Sequence, residues 1–367
     1  MLGACSLMPA AHLPMAETAS EPVSTAQVAS DTTSRAVLPR PVGRWVAQDW
    51  SKLPGWGQDA MAEAWPAWQK SCARPSPVWQ GLCREVLALA QASPQRQRQF
   101  IESRLQPYQV QAPSGATEGL LTAYYEPEMQ AHRLPRGAFV HPVHAPPDGL
   151  AARKPWYTRQ QMEQVPEARA ALQGKEIAYL AHPVDVLVLQ IQGSGLLRLT
   201  ESDGLVRQVR LAYAATNDQP YRSIGRWMLD QGLIRDASWP GIQAWLQAHP
   251  QRLSEVLGQN PRVVFFREES LPEGAALPGP RGAQGVPLTA GRSIAVDPGS
   301  IPYGSPVWLV SAGPTQALQR LVLAQDTGNA ITGAVRADYF VGTGAIAGDL
   351  AGRLKQNLSM WVLWPRP

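Results

Sequence analysis

Four aspartates in the C-terminal third, Asp297, Asp326, Asp338 and Asp349, stand beside short apolar runs. A carboxyl group in such a place suits general acid–base chemistry, because leaving water penalises its charged form and lifts its pKa toward neutrality. Asp326 follows Leu321-Val-Leu-Ala-Gln and precedes Thr327-Gly328. Asp-Thr-Gly is also the loop of aspartic proteases, which need two carboxylates sharing one proton. A single copy is present, so a protease would require a second chain to complete it. Asp338 lies in Val335-Arg-Ala-Asp-Tyr-Phe340, where aromatic and apolar neighbours can desolvate it; a nearby Arg336 would oppose the effect, although adjacent strand residues are expected to face opposite sides. Asp297, before Pro298-Gly299, also suits a turn, and Asp349, on a helical stretch, a solvated face.

Other chemistries lack their residues. There is no HExxH, no Walker loop and no Rossmann glycine fingerprint, and the six histidines are dispersed. No metal and no cofactor are expected. Gly193-Ser194-Gly195 misses the remaining positions of a nucleophile elbow, so Ser194 reads as a turn residue.

The elements that must position these acids are short strands punctuated by Gly and Pro, as in a small β-barrel: 262–266, 293–296, 307–310, 320–324, 336–340 and 360–363. A helix over 345–356 interrupts them. Upstream, helical spacing covers 58–73, 78–92 and 94–105, with Pro66 and Pro94 as breaks or starts. Gly119–Pro127 is strand-like. Between about 128 and 260 the pattern is mixed. The apolar run 184–192 suits a buried strand, turning at Gly193-Ser-Gly195 into a returning strand over 196–200. A further strand is expected over 206–212, and helices over 223–231 and 241–248.

The formal charge of +4 is spread along the chain rather than gathered in a stripe, which argues against nucleic acid. Thirteen Trp could stack on sugar rings or fill a core, and composition alone favours the core. No apolar stretch is long enough to span a membrane. Leu2-Gly-Ala-Cys5 matches the box before a lipid-modified cysteine in bacterial lipoproteins, although no charged or apolar leader precedes it. Cys5 is thus a lipidation candidate, and Ser6 after it favours the outer membrane. The Ala-, Ser-, Thr- and Pro-rich residues to about 42 read as a tether. Cys72 and Cys83 are the remaining pair, and an exported protein would join them as a disulfide.

Several strings in order carry a family resemblance: Gly119-Leu-Leu-Thr-Ala-Tyr-Tyr-Glu-Pro-Glu128, Leu189-Gln-Ile-Gln-Gly-Ser-Gly195, Tyr221-Arg-Ser-Ile-Gly225 and Asn260-Pro-Arg-Val-Val-Phe-Phe-Arg267. Val286 to Asp297, Gln325 to Gly333, Arg336 to Phe340 and Gly342-Thr-Gly344 continue the series. From about residue 45 onward the chain resembles the membrane-bound lytic murein transglycosylase A family. Asn329 departs from that pattern, where a glycine is usual.

The resemblance implies a mainly β, α+β fold: a double-psi β-barrel with N-terminal helices, a second smaller β-domain inserted, and a groove between them. The implied boundaries are a lipoprotein tether at 1–42, helices and first barrel part at 43–127, the insert at 128–259 and the remaining barrel at 260–367. Catalytic roles fall on Asp338, with Asp326 assisting. Tyr125, Gln190, Gln192, Ser194 and Asp297 are candidate substrate contacts. The implied reaction cleaves peptidoglycan glycan strands between N-acetylmuramic acid and N-acetylglucosamine, forming 1,6-anhydro ends without water. The implied setting is the outer membrane, facing the periplasm, with a cell-wall enzyme assembly left open. A non-catalytic polysaccharide-binding barrel and a muramidase-type hydrolase are the alternatives.

Overall fold

The structure, a computed structural model, describes residues 36–271 and 277–366. Cys5 and the tether before residue 36 lie outside the described residues. The chain enters a sheet ahead of the expected tether boundary. β1 (Val37–Pro39) pairs with β2 (Arg44–Ala47), and Leu38 packs on the barrel core. Three residues between Ser/Thr- and Pro-rich stretches give too short a pattern to read as a strand.

Helices α1 (Met61–Ser71), α2 (Gln80–Ala88) and α3 (Pro94–Arg104) follow where the spacing predicts them. Pro66 lies inside α1 and does not end it. Burial of Met61, Trp65 and Trp68 on one face of that helix outweighs the intrinsic cost of an internal proline, about 3 kcal/mol. Ser93 caps α3 by accepting from the Arg96 N–H. A disulfide joins Cys72, just past α1, to Cys83 in α2. Seven of the thirteen Trp are buried and none of the others is fully exposed, so the indoles serve mainly as core.

After β3 (Leu105–Gln111) and β4 (Gly119–Glu126) the chain builds a second sheet from β5 (Glu128–His132), β6 (His141–His144), β7 (Glu176–Leu180), β8 (Ser194–Thr200), β9 (Val206–Thr216) and β10 (Val264–Glu269). Their order is β10-β9-β8-β5-β7-β6. The insert therefore runs past the expected boundary at 259, since β10 pairs with β9 and not within the barrel. An apolar run over 262–266 suits either sheet, and only the pairing decides. Helices α4 (Arg159–Gln164), α5 (Pro166–Leu172), α6 (Pro183–Gln192), α7 (Ile224–Asp230), α8 (Trp239–Ala248) and α9 (Leu253–Gly258) also belong to the insert.

The run 184–192 is α6, a helix and not the expected strand. Val186 and Leu189 pack on the second sheet while Val184, Leu187 and Val188 pack toward α7–α9. A helix buried on both sides carries no amphipathic period, so its sequence looks like a buried strand. The expected turn at Gly193 is the helix cap, at φ 80°, and Ser194 opens β8. The hairpin partner of β8 is β9.

The chain then returns to the barrel with β11 (Ser293–Val296), β12 (Pro306–Ser311), β13 (Leu318–Asp326), β14 (Arg336–Thr343), α10 (Ala345–Arg353) and β15 (Lys355–Pro365). α10 stops short of the expected residue 356 because Lys355 onward pairs with β4. Six strands close the ring β4-β14-β11-β13-β12-β15, with β15 returning to β4. The β4–β14 and β11–β13 pairs are parallel, in keeping with a double-psi barrel. Its interior holds Leu121, Ile294, Val307, Val322, Ala337 and Met360, all fully buried. Helices α1–α3 cover one outer wall through a tryptophan-rich layer, and Arg292 reaches Asp59 at 2.7 Å beneath it.

Candidate active site between barrel and insert

Parallel pairing sets Asp338 of β14 beside Thr122 of β4. Alternation along the two strands sends Leu121, Ala337 and Tyr339 into the barrel core. Thr122, Tyr124, Arg336 and Asp338 lie on the opposite face and line a cavity of about 270 Å³. The Thr122 hydroxyl donates to Asp338 Oδ1 and accepts from Arg336 Nη2 at 2.8 Å. Burial pushes the Asp338 carboxyl above its ordinary value, and the Thr122 bond and the Arg336 charge pull it back only in part. Arg336, two residues away along one strand, shares its face.

Asp326 ends β13 and is held from three sides. Its Oδ1 accepts from the N–H groups of Ala283 (2.8 Å) and Thr327 (2.9 Å), and its Oδ2 from the Tyr124 hydroxyl (2.8 Å). Burial lifts its pKa to about 6 despite these donors, and the Asp338 charge adds to the rise. Asp326 does not line the cavity; Tyr124 stands between, its ring against Phe340 at 5.3 Å. Burial and the two carboxylates push the Tyr124 phenol well up, so it stays a donor.

The opposite wall comes from the insert: Gln190, Ile191 and Gln192 at the end of α6, with Tyr221, Asn260 and Arg262. Gln192 Oε1 accepts from the Tyr125 N–H at 3.1 Å, which ties α6 to β4. Gln190 Oε1 accepts from Arg159 Nη2 at 2.5 Å. The loop 328–331 closes one end, where the Asn329 amide oxygen accepts from the Arg262 guanidinium.

Three expected contacts lie elsewhere. Tyr125 points to the other side of β4, its ring against Gly348 of α10, where a Cβ would come within 2.9 Å. There it lines a larger hollow of about 1100 Å³ with Asp185, Trp239 and Asp349. Ser194 is buried in β8, paired with Ala212. Asp297 acts as the turn residue, accepting from the N–H groups of Gly299 (2.9 Å) and Gly333 (2.8 Å). Thr122, Tyr124, Tyr221, Asn260 and Arg262 were not singled out from sequence. A period-two reading of 120–124 against 336–340 would have placed Thr122, Tyr124, Arg336 and Asp338 on one face.

Residues 120–267 match the family description "MltA specific insert domain", and residues 292–364 match "3D domain". The chain is 31% identical over 256 residues to membrane-bound lytic murein transglycosylase A of Vibrio cholerae, a match over 66% of this chain and 65% of that protein. The solved lytic transglycosylase LtgG of Burkholderia pseudomallei is 42% identical, with a TM-score of 0.60, over 91% of this chain and 99% of that one. The chain belongs to the membrane-bound lytic murein transglycosylase A family. The matched part spans about two thirds of the Vibrio relative's length. Among solved members of this family, Escherichia coli MltA with bound chitohexaose is 25% identical, with a TM-score of 0.68, over 95% of this chain and all of that one. The two matches fall on the two parts of this architecture: residues 120–267 run from β4 through the insert, and residues 292–364 cover the barrel strands that carry Asp338.

Proposed function

We propose that the chain cleaves the β-1,4 bond between N-acetylmuramic acid and N-acetylglucosamine in peptidoglycan strands, leaving 1,6-anhydromuramic acid ends. The observation that carries this reading is that, among the described residues, Asp338 is the one carboxyl group lining the 270 Å³ cavity. A glycoside hydrolase places two carboxyl groups about the scissile bond, one as acid and one for water or as nucleophile. Intramolecular attack by the substrate's own hydroxyl needs one. Protonated Asp338 donates to the glycosidic oxygen, and the bond to C1 breaks toward an oxocarbenium-like centre. The ionised carboxylate then takes the proton of the muramyl C6 hydroxyl as its oxygen bonds to C1.

The other groups assist without touching the reacting atoms. Asp326, with a pKa of about 6, is mostly ionised at neutral pH and fixes the Tyr124 hydroxyl beside the acid. Its negative charge favours the positive centre that develops in the cavity. Gln190, Gln192, Tyr221 and Asn260 offer hydrogen bonds to sugar hydroxyl and acetamido groups; Tyr125, in the larger hollow, is a candidate contact further along the strand, and Ser194 and Asp297 line neither cavity. Chitohexaose bound to the Escherichia coli relative supports a glycan strand as the occupant.

The test is mass spectrometry of muropeptides released from purified sacculi, with Asp338→Asn alongside. Products one water lighter than hydrolytic ends are expected, with turnover lost and glycan binding kept in the variant. Reducing muramic acid ends would make the protein a hydrolase, and near-native activity of the variant would remove Asp338 as the acid.

The site is proposed to work on the periplasmic face of the outer membrane, tethered by lipid on Cys5. No helix among the described residues is long and apolar enough to cross a membrane, and the Vibrio relative is named membrane-bound. Cys5→Ser should move the protein from the membrane fraction to the soluble one. Unchanged fractionation would exclude this anchor.

A further inference from the structure

Two guanidinium groups line the cavity, and they are committed differently. Arg336 bonds Thr122 and the carbonyls of Leu120 and Ala337, and its charge acts on Asp338. Arg262 has neutral partners only. Its Nη1 donates to the Gln219 carbonyl at 3.2 Å, and its guanidinium faces the Asn329 amide oxygen. Asp218, whose charge it feels, is bonded to Lys154 at 3.2 Å. A half-buried guanidinium with no acid hydrogen-bonded to it carries a desolvation cost that the more distant Asp218 charge offsets only in part, and a bound anion would offset the rest.

The position of Arg262 is built rather than incidental. Its backbone N–H donates to Asn260 Oδ1 at 3.3 Å, and its carbonyl accepts from Arg159 Nη2 at 2.7 Å. The same Arg159 holds Gln190, so one guanidinium sets two wall residues. Asn329 is exposed, on a loop, and neutral, hence a partner that can be displaced. With Asp338 protonated, as its acid role requires, the cavity wall carries two positive charges and no negative one.

The two sugars of the proposed substrate differ in charge. N-acetylglucosamine is neutral. N-acetylmuramic acid carries a 3-O-lactyl group with a carboxyl, free in peptide-stripped strands and amide-linked to a peptide, itself bearing carboxylates, in intact ones. We propose that Arg262 is the carboxylate-reading residue of the groove, exchanging Asn329 for a carboxylate on the lactyl side group of the muramyl residue at the cleavage site. This rests on the reading of the cavity as that site. A planar two-pronged donor suits a carboxylate, and such recognition tells muramyl from glucosaminyl residues by the charged group that only the muramyl O3 carries.

The experiment measures binding in the full-length Asp338→Asn protein, which cannot turn over, with and without Arg262→Gln or Arg262→Lys. The probes are chitohexaose, peptide-stripped glycan strands and strands carrying peptide stems. Arg262→Gln should weaken binding of peptide-stripped strands about tenfold, less so as salt rises, and leave chitohexaose within twofold. Arg262→Lys should recover part of the loss, and melting curves should coincide. Weakening confined to stem-bearing strands supports the same chemistry and assigns the carboxylate to the peptide. Equal weakening for chitohexaose and peptide-stripped strands would overturn the proposal and make Arg262 a wall-building residue. If the Asp338→Asn protein binds none of the three, the glycan reading itself fails, a result separable from the others.

Discussion

At the scale of single residues, the outcome turns on how two half-buried carboxyl groups are held. Asp326 is surrounded by donors and Asp338 meets one hydroxyl, so Asp338 is the group left free to exchange a proton. The Thr122 hydroxyl bonds the ionised form of Asp338 and so lowers a pKa that burial has raised. A general acid must be protonated in the free enzyme, so kcat/KM should fall as pH rises through that raised value. Removing the hydroxyl raises the value further. Thr122→Val should therefore move the alkaline limb of the pH profile of muropeptide release upward by roughly one unit, the size expected for losing a hydrogen bond to a charged group. An unmoved limb would show that Asp338 is not the titrating acid.

At the scale of elements, α6 is the piece that joins scaffold to site. It is buried on two sides, and its last turn delivers Gln190 and Gln192 to the cavity. Its C-cap, Gly193, sits at φ 80° with open space where a Cβ would go, so a side chain there meets backbone strain and nothing else. Gly193→Ala should cost about 1 kcal/mol, or roughly 1–2 °C in melting temperature for a body of this size. Because the strain falls one residue past Gln192, glycan affinity should drop more than global stability does. Gly119 poses a different constraint. A Cβ there would meet the Val335 carbonyl at 1.8 Å, so β4 and β14 approach closely only because that side chain is absent. The register between Thr122 and Asp338 depends on this approach.

At the scale of the whole molecule, the barrel and the insert are fastened by a buried ion pair where the chain crosses between them. Arg210 of β9 donates to both oxygens of Glu126, the last residue of β4, at 2.6 and 3.0 Å. It also donates to the Pro278 carbonyl on the returning strand of chain, at 2.7 Å, while Thr343 holds the Glu126 carboxylate from the barrel side. Removing one partner leaves the other charged in a dry site. Arg210→Met should thus destabilise by about 3–5 kcal/mol, read as a large fall in the denaturant midpoint. Pairing it with Glu126→Gln should recover much of the loss, since no lone charge then remains buried. If the single and double variants unfold alike, the pair is not what fastens the junction.

The residues themselves determined a good deal of this protein. Acids beside apolar strands, the absence of metal and phosphate motifs, and strings such as 119–128 and 260–267 point to the family, and the resemblance makes Asp338 and Asp326 its expected acids. Local punctuation also placed α1–α3 and β11–β14 to within a few residues. What the tertiary structure decided were matters of facing and pairing. The apolar run 184–192 became a helix because both its sides are covered, which no local period records. Residues 264–269 joined the insert sheet because β9 offers them a partner. Tyr124 and Tyr125, adjacent in sequence, went to opposite faces of one strand, the first to the acids and the second to α10. Arg262 and Asn329 met across the groove from segments far apart in the chain. Composition and spacing report what a residue can do. Its partners are set by which strands pair and which faces they bury, and that is decided only when the barrel closes.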